Sequence, residues 1–200
     1  MYWHAAGIKT AYSGWIDLDG ERYLVTPETS FGYADKNWGS NFTSPWIWIG
    51  SSDLKSRLTG LPLERSALEI GGGRPRVLGL PLAGQALVYL VHEGTDYEFN
   101  FSKPWLRSRV SFDFIEGEVV HRWTVSAETP RHRLEVELSC PRSEMLLMRY
   151  QSPDGARRHQ RLWNGGTGRG TARLLDKARP DQPLDLIEIG HAGCERGTHD

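Results

Sequence analysis

Apolar and polar residues alternate with a period of two along most of this chain, and each run is cut after about eight to twelve residues by glycine, proline or Asp-Gly. That period belongs to strands that bury one face, so an all-β, antiparallel architecture is expected. Trp15-Ile16-Asp17-Leu18 and Arg22-Tyr23-Leu24-Val25 flank Asp19-Gly20, a dipeptide that tolerates the positive φ of a two-residue turn, which predicts a hairpin. Leu87 to Val91 and Tyr97 to Phe101 lie either side of Glu93-Gly94-Thr95-Asp96, with Tyr97, Phe99 and Phe101 on one face and Glu98 and Asn100 on the other. Val110 to Phe114 leads through a turn at Glu116-Gly117 into Val119 to Val125, where Val119, His121, Trp123 and Val125 share a face. Leu134, Val136 and Leu138 then alternate with Glu135 and Glu137; Met145 to Tyr150 is closed by Pro153-Asp154-Gly155, and a loop at Pro180 to Pro183 precedes a last strand from Leu184 to Ile189. Helical potential is confined to Ser52 to Leu58, at most two turns before Gly60 and Pro62.

About ten or eleven short strands without alternating helices leave a closed up-and-down barrel or a sandwich, and exclude a parallel nucleotide-binding sheet. The barrel is preferred, because faces carrying bulky aromatics between charges suit a barrel wall, and a small barrel holds one apolar ligand. With 200 residues and no repeat or linker, one domain over 1–200 is expected: 1–50 carries the aromatic-rich motifs and 51–200 the antiparallel strands.

A net charge of −1 gives no electrostatic handle on nucleic acid, and the basic run Arg157 to Arg161 reads as a solvated strand face. Cys140 and Cys194 lack CxxC spacing and a nearby His pair, so they read as free thiols; no metal is expected. Without a signal-like N-terminus or an apolar run of spanning length, a soluble cytoplasmic protein with no integral membrane segment is expected, and the sequon Asn41-Phe42-Thr43 stays unmodified.

Gly71-Gly72-Gly73-Arg74 and Gly165-Gly166-Thr167-Gly168-Arg169-Gly170 are not followed by helices, so tight turns or bulges are expected rather than phosphate cradles; that Arg74 and Arg169 beside them face a ligand mouth is the minority reading. His121, on an apolar strand face, reads as a hydrogen-bonded core imidazole, and no nucleophile elbow is present. The segment least explicable as packing is Tyr33-Ala34-Asp35-Lys36-Asn37-Trp38-Gly39, followed by Trp46-Ile47-Trp48-Ile49, which sets an acid, a base and three indoles within sixteen residues. Aromatic faces beside an acid suit chemistry through a carbocation. Asp35 in this setting is either a desolvated proton donor or an ionised partner of Lys36 or another cation.

The same run, with Phe42, Pro45 and Trp46-Ile47-Trp48, resembles the signature of the tocopherol cyclase family, where an acid, Lys, Asn, Trp and Gly precede a Trp-rich strand. The resemblance covers roughly residues 12 to 50 directly and implies a lipocalin-like, calycin-type β-barrel around an apolar cavity. In the family the signature lies well inside a chain of two lipocalin-like halves, whereas here 32 residues precede Tyr33. The chain then corresponds to the C-terminal half of a two-half fold: a short member, a piece of a split gene or a truncated reading frame. A short form would close its barrel by forming a homodimer. Asp35 also stands where the plant cyclases resemble one another in having Glu, which keeps the carboxylate and shortens its reach.

The family chemistry implies no cofactor. Asp35 would protonate a prenyl alkene, Trp38, Trp46 and Trp48 would shelter the tertiary cation, and Lys36 and Asn37 would orient the acid or the phenol that closes the ring, with Tyr33 against the ligand. Water reaching the cation would give an alcohol, which defines a hydratase. A non-catalytic carrier of an apolar small molecule needs the pocket without the donor, and a glycan-binding sandwich needs exposed indoles.

Overall fold

A computed structural model describes residues 2–38, 43–74, 76–77, 80–81, 84–151, 155 and 158–199. The chain order is β1 (Tyr2–Ala11), β2 (Gly14–Leu18), β3 (Glu21–Val25), β4 (Phe31–Trp38), β5 (Trp46–Ser51), β6 (Asp53–Ser56), β7 (Ala67–Gly73), β8 (Arg76–Val77), β9 (Leu80–Pro81), β10 (Gln85–His92), β11 (Thr95–Asn100), β12 (Arg109–Ile115), β13 (Val120–Glu128), β14 (His132–Pro141), β15 (Met145–Gln151), β16 (Arg158–Asp176) and β17 (Pro183–Thr198). One antiparallel sheet runs β11-β10-β7-β5-β17-β16-β14-β13-β12, with β6 continuing β5 along β17 and β15 pairing with β16. Its ends, β12 and β10–β11, approach each other without a hydrogen-bonded ladder, so the sheet forms a nearly closed barrel rather than a sandwich.

The inner face is packed solid. Ile49, Leu68, Ile70, Val88, Leu90, Phe99, Trp123, Leu134 and Leu174 are all fully buried on it. The opposite face of the same strands carries Thr124, Glu137, Thr171 and Glu188 outwards, as period-two alternation requires. Outside the barrel, β1 and β4 pair into a two-stranded ribbon that lies over β5 and β7, and β2–β3 form a separate hairpin.

The Asp19-Gly20 hairpin is present, with φ of 52° and 85°. The β10–β11 turn is tighter than the four residues expected: Glu93 and Gly94 alone make it, with φ of 47° and 84°. The segment expected as a helix is instead β6, because pairing with β17 buries Leu54 and Ser56 while Ser51 Oγ donates to the Gly190 carbonyl at 2.7 Å. Tertiary pairing thus overrides a local helical tendency. The last strand runs nine residues past Ile189, because Gly190, Gly193 and Gly197 lie within the ladder rather than ending it. Gly165 to Gly170 likewise sit inside β16, at register shifts against β17, which are the expected bulges.

Val119 precedes β13 and is exposed, leaving His121, Trp123 and Val125 as the inward face. His121 is a core residue but not a hydrogen-bonded one: neither ring nitrogen has a partner, and the ring packs against Trp163 at 4.7 Å. Cys140 and Cys194 are free and buried. The exposed indoles are Trp15, Trp38 and Trp105, on three different elements. Asn41 and Phe42 of the sequon and Arg157 of the basic run lie outside the described residues.

Candidate functional site

The site forms where the ribbon crosses the outer wall of the barrel. On β5, Trp46 and Trp48 project outwards while Ile47 and Ile49 enter the core, because the four alternate. Two indoles on successive outward positions need space, and glycines on β5 itself and on the neighbouring strands provide it. A Cβ at Gly193 would lie 2.5 Å from the Trp48 ring, and one at Gly50 would lie 2.8 Å from it. Gly71, across from Trp48, leaves room for the Trp3 ring, which a Cβ there would meet at 3.1 Å.

The ribbon supplies the facing side. Tyr33, Asp35 and Asn37 on β4, with Trp3 on β1, point towards the wall. The Trp3 indole N–H is shared between the Tyr33 hydroxyl and Asp35 Oδ2, each at 2.7 Å, and Asn37 Nδ2 donates to the same Oδ2 at 3.3 Å. Tyr33 packs on Trp48 with ring centroids 5.4 Å apart. Between ribbon and wall lies a cavity of about 610 Å³, bounded also by Leu87, Phe101 and Tyr150. This is the volume of an ordinary small-molecule pocket.

The sequence-derived residues thus divide. Tyr33, Asp35, Asn37, Trp46 and Trp48 line the cavity. Lys36 and Trp38 do not: on an extended strand they fall on the other face, where Lys36 Nζ lies 5.5 Å from the Trp38 ring. Arg74 is exposed beside Gly73, and neither it nor Arg169 lines the cavity. The cavity is on the outer wall and not inside the barrel, where an apolar ligand was expected, because large side chains already fill the interior.

Two carboxyls reach this region unannounced by any motif. Glu195 on β17, directly across from Trp48, lines the cavity and accepts a hydrogen bond from Asn164 Nδ2. Burial, reinforced by the charge of Asp35 and opposed by Asn164, pushes its carboxyl up to about 7. Glu69 on β7 is 1% exposed beneath Trp48, and burial pushes it up to about 9. The Trp48 indole N–H is directed at it but falls short of a full hydrogen bond, so both groups keep unsatisfied atoms. Burial, then the charge of Glu69, also pushes the Tyr33 phenol far above its usual range. The available signal was spacing: Glu69-x-Gly71-x-Gly73 and Gly193-x-Glu195-x-Gly197 alternate acids with glycines on strands flanking Trp46-x-Trp48.

Among the described residues no group of His, Cys, Asp and Glu is arranged to hold a metal ion, and no helix is long and apolar enough to cross a membrane. The site therefore offers aromatic walls, a largely apolar volume and carboxyls in unlike environments.

The sequence profile of the tocopherol cyclase-like family matches residues 5–177. The chain is 32% identical over 133 residues to the probable chloroplastic tocopherol cyclase of Oryza sativa subsp. japonica, covering 66% of this chain and 25% of that protein. It is likewise 32% identical over 139 residues to the chloroplastic tocopherol cyclase of Zea mays, covering 70% of this chain and 26% of that protein. The chain spans about a quarter of the length of these curated relatives. No solved structure matches it. With most of its length matched by the profile, the chain belongs to the tocopherol cyclase-like family.

Proposed function

We propose that the cavity under the ribbon binds a prenylated quinol-like isoprenoid and that a carboxyl in its wall protonates the prenyl alkene, without a cofactor. The observation carrying this reading is the juxtaposition of Trp48 and Tyr33 with Asp35 and Glu195 around one cavity of about 610 Å³. Aromatic faces stabilise a tertiary cation, and an acid whose affinity for protons is raised can donate near neutrality. The phenol oxygen of the same substrate then closes a chromanol-like ring. Tyr33, Trp46 and Trp48 form the walls, and Asp35 and Asn37 face the polar head of the substrate.

A second outcome follows from Asp35 and Phe101 being exposed at the cavity mouth. Water entering there captures the cation and gives a tertiary alcohol, so hydration accompanies or replaces cyclisation. Incubating the chain with a prenylated methylhydroquinone and separating the products tests the reading. Chromanol or tertiary alcohol supports it; saturable quenching of tryptophan fluorescence without turnover identifies a carrier instead. Asp35→Asn is expected to lower chromanol formation and keep binding, whereas a carrier is indifferent to it.

A further inference from the structure

We infer that Glu195 is the acid that delivers the proton to the alkene and that Asp35 is the base that takes the phenol proton. The assignment rests on the cyclase reading and divides between two residues the work that sequence alone gives to Asp35. Its first support is position. Glu195 is half-buried in the barrel wall, directly across the β5–β17 ladder from Trp48, the indole that packs on Tyr33. A prenyl chain laid along that wall sets its alkene against both the carboxyl and the indole. Asp35 is exposed on the ribbon at the mouth, where the more polar quinol head remains near Asn37.

The second support is the hydrogen bonding. Asn164 Nδ2 donates to Glu195 Oε1, which fixes the carboxyl and leaves Oε2 to carry a proton. Asp35 Oδ2, by contrast, already accepts from Trp3 Nε1 and Asn37 Nδ2, an arrangement that suits an acceptor. The charge of Asp35 also disfavours a second charge on Glu195. Two carboxyls whose surroundings differ in this way divide into donor and acceptor.

The step balances within the substrate. Glu195 transfers its proton to the less substituted alkene carbon, whose π electrons form the new C–H bond, leaving a tertiary cation beside Trp48. The phenol oxygen attacks that carbon to form the C–O bond and gives up its proton to Asp35. Glu195 is reprotonated from solvent and Asp35 releases its proton there, so the net change is isomerisation without an oxidant or reductant.

Asp35 on β4 and Tyr150 on β15 face Glu195, while Cys194, next to it on β17, turns into the core; the Cys194 thiol, pushed far up by burial, stays neutral, as does the Tyr150 phenol, raised for the same reason. Activity limited by protonated Glu195 therefore falls on the alkaline side, with a limb near pH 7. The test uses the full chain, a prenylated methylhydroquinone and tryptophan fluorescence to follow binding. Glu195→Gln is expected to lower turnover by at least 100-fold with affinity changed less than threefold. Asn164→Ala removes the donor that favours ionised Glu195, and is expected to move the alkaline limb to higher pH. Asp35→Asn is expected to shift the product from chromanol towards tertiary alcohol. Wild-type turnover with Glu195→Gln within threefold of it, or an unmoved limb in Asn164→Ala, overturns the assignment and leaves the cyclase reading standing. A wild-type chain that binds the quinol but yields neither product overturns both.

Discussion

At the scale of single residues, the site depends as much on side chains that are absent as on those present. Trp48 occupies space that a Cβ at Gly193 or Gly50 would invade, and Trp46 occupies space beside Gly197. Gly193→Val is therefore expected to push the Trp48 ring off Tyr33, costing roughly 1–3 kcal/mol of stability in urea denaturation and weakening quinol binding. Glu69 is the opposite case, a group retained where it is costly. Buried Asp185 accepts from Ser56 Oγ at 2.7 Å and pairs with His92 Nε2 at 2.8 Å, whereas the oxygens of Glu69 have no hydrogen-bond partner. Its value rises from 4.5 to about 9, so the folded chain keeps a proton that the unfolded chain has released. Stability attributable to Glu69 is thus intact below about pH 4.5, falls as pH rises, and is fully lost above about pH 9. His121 has the opposite sign: burial lowers it below 6.5, so its cost grows as pH falls past 6.5. Glu69→Gln is expected to raise stability at pH 9 by roughly 1–3 kcal/mol and to leave pH 4 nearly unchanged, which denaturation at the two pH values checks. An equal gain at both would remove ionisation as the cause. Asp35 was legible because it stands among aromatics; Glu195 was not, because an acid between Cys194 and Arg196 has no aromatic neighbour in sequence and acquires Trp48 through the β5–β17 ladder alone.

At the scale of elements, alternation both reveals and misleads. It identified most of the strands, and it also explains why the continuous signature from Tyr33 to Trp38 does not act as one cluster: alternate residues of β4 face opposite ways, so Lys36 and Trp38 leave the cavity that Asp35 and Asn37 enter. The glycines obscured β17, since breakers within a ladder look like the end of a strand until the indoles they accommodate are known. Nor did pairing between β1 and β4 follow from sequence, because strands separated by a hairpin have no local cue to their register. Among the described residues the ribbon is braced by the shared Trp3 N–H, which ties β1 to β4 within it, and is held over the wall by the Tyr33–Trp48 contact and by Lys9 Nζ donating to the Leu63 carbonyl at 3.0 Å. Trp3→Ala removes the first and the ring against Gly71 together. Hydrogen exchange of amides in β1 and β4 is expected to accelerate at least tenfold, with β13 and β14 amides unchanged. Uniform acceleration would mean that the ribbon and barrel open as one unit.

At the scale of the molecule, barrel and site are different faces of one sheet. The barrel shape invites the assumption that its lumen is the binding chamber, but Trp123, Phe99 and the branched aliphatics fill it, and the cavity sits where β5, β7, β10 and β17 are roofed by the ribbon. Stability and binding should then respond to different substitutions. Leu134→Ala empties part of the fully buried inner face, on a strand that contributes no residue to the cavity lining, and is expected to cost about 2–5 kcal/mol of unfolding free energy while leaving quinol affinity within threefold. Trp48→Ala removes an outer-face indole that is half-buried, opens the cavity and is expected to weaken binding at least tenfold. The folding cost is smaller than that of Leu134→Ala, because the lost ring borders the cavity on one side and because the unsatisfied contest between its N–H and Glu69 is removed with it. Paired urea denaturation and fluorescence titration on the two variants distinguish the arrangements: a ligand inside the lumen makes Leu134→Ala, which enlarges that space, the variant that changes affinity, whereas a ligand under the ribbon makes it Trp48→Ala.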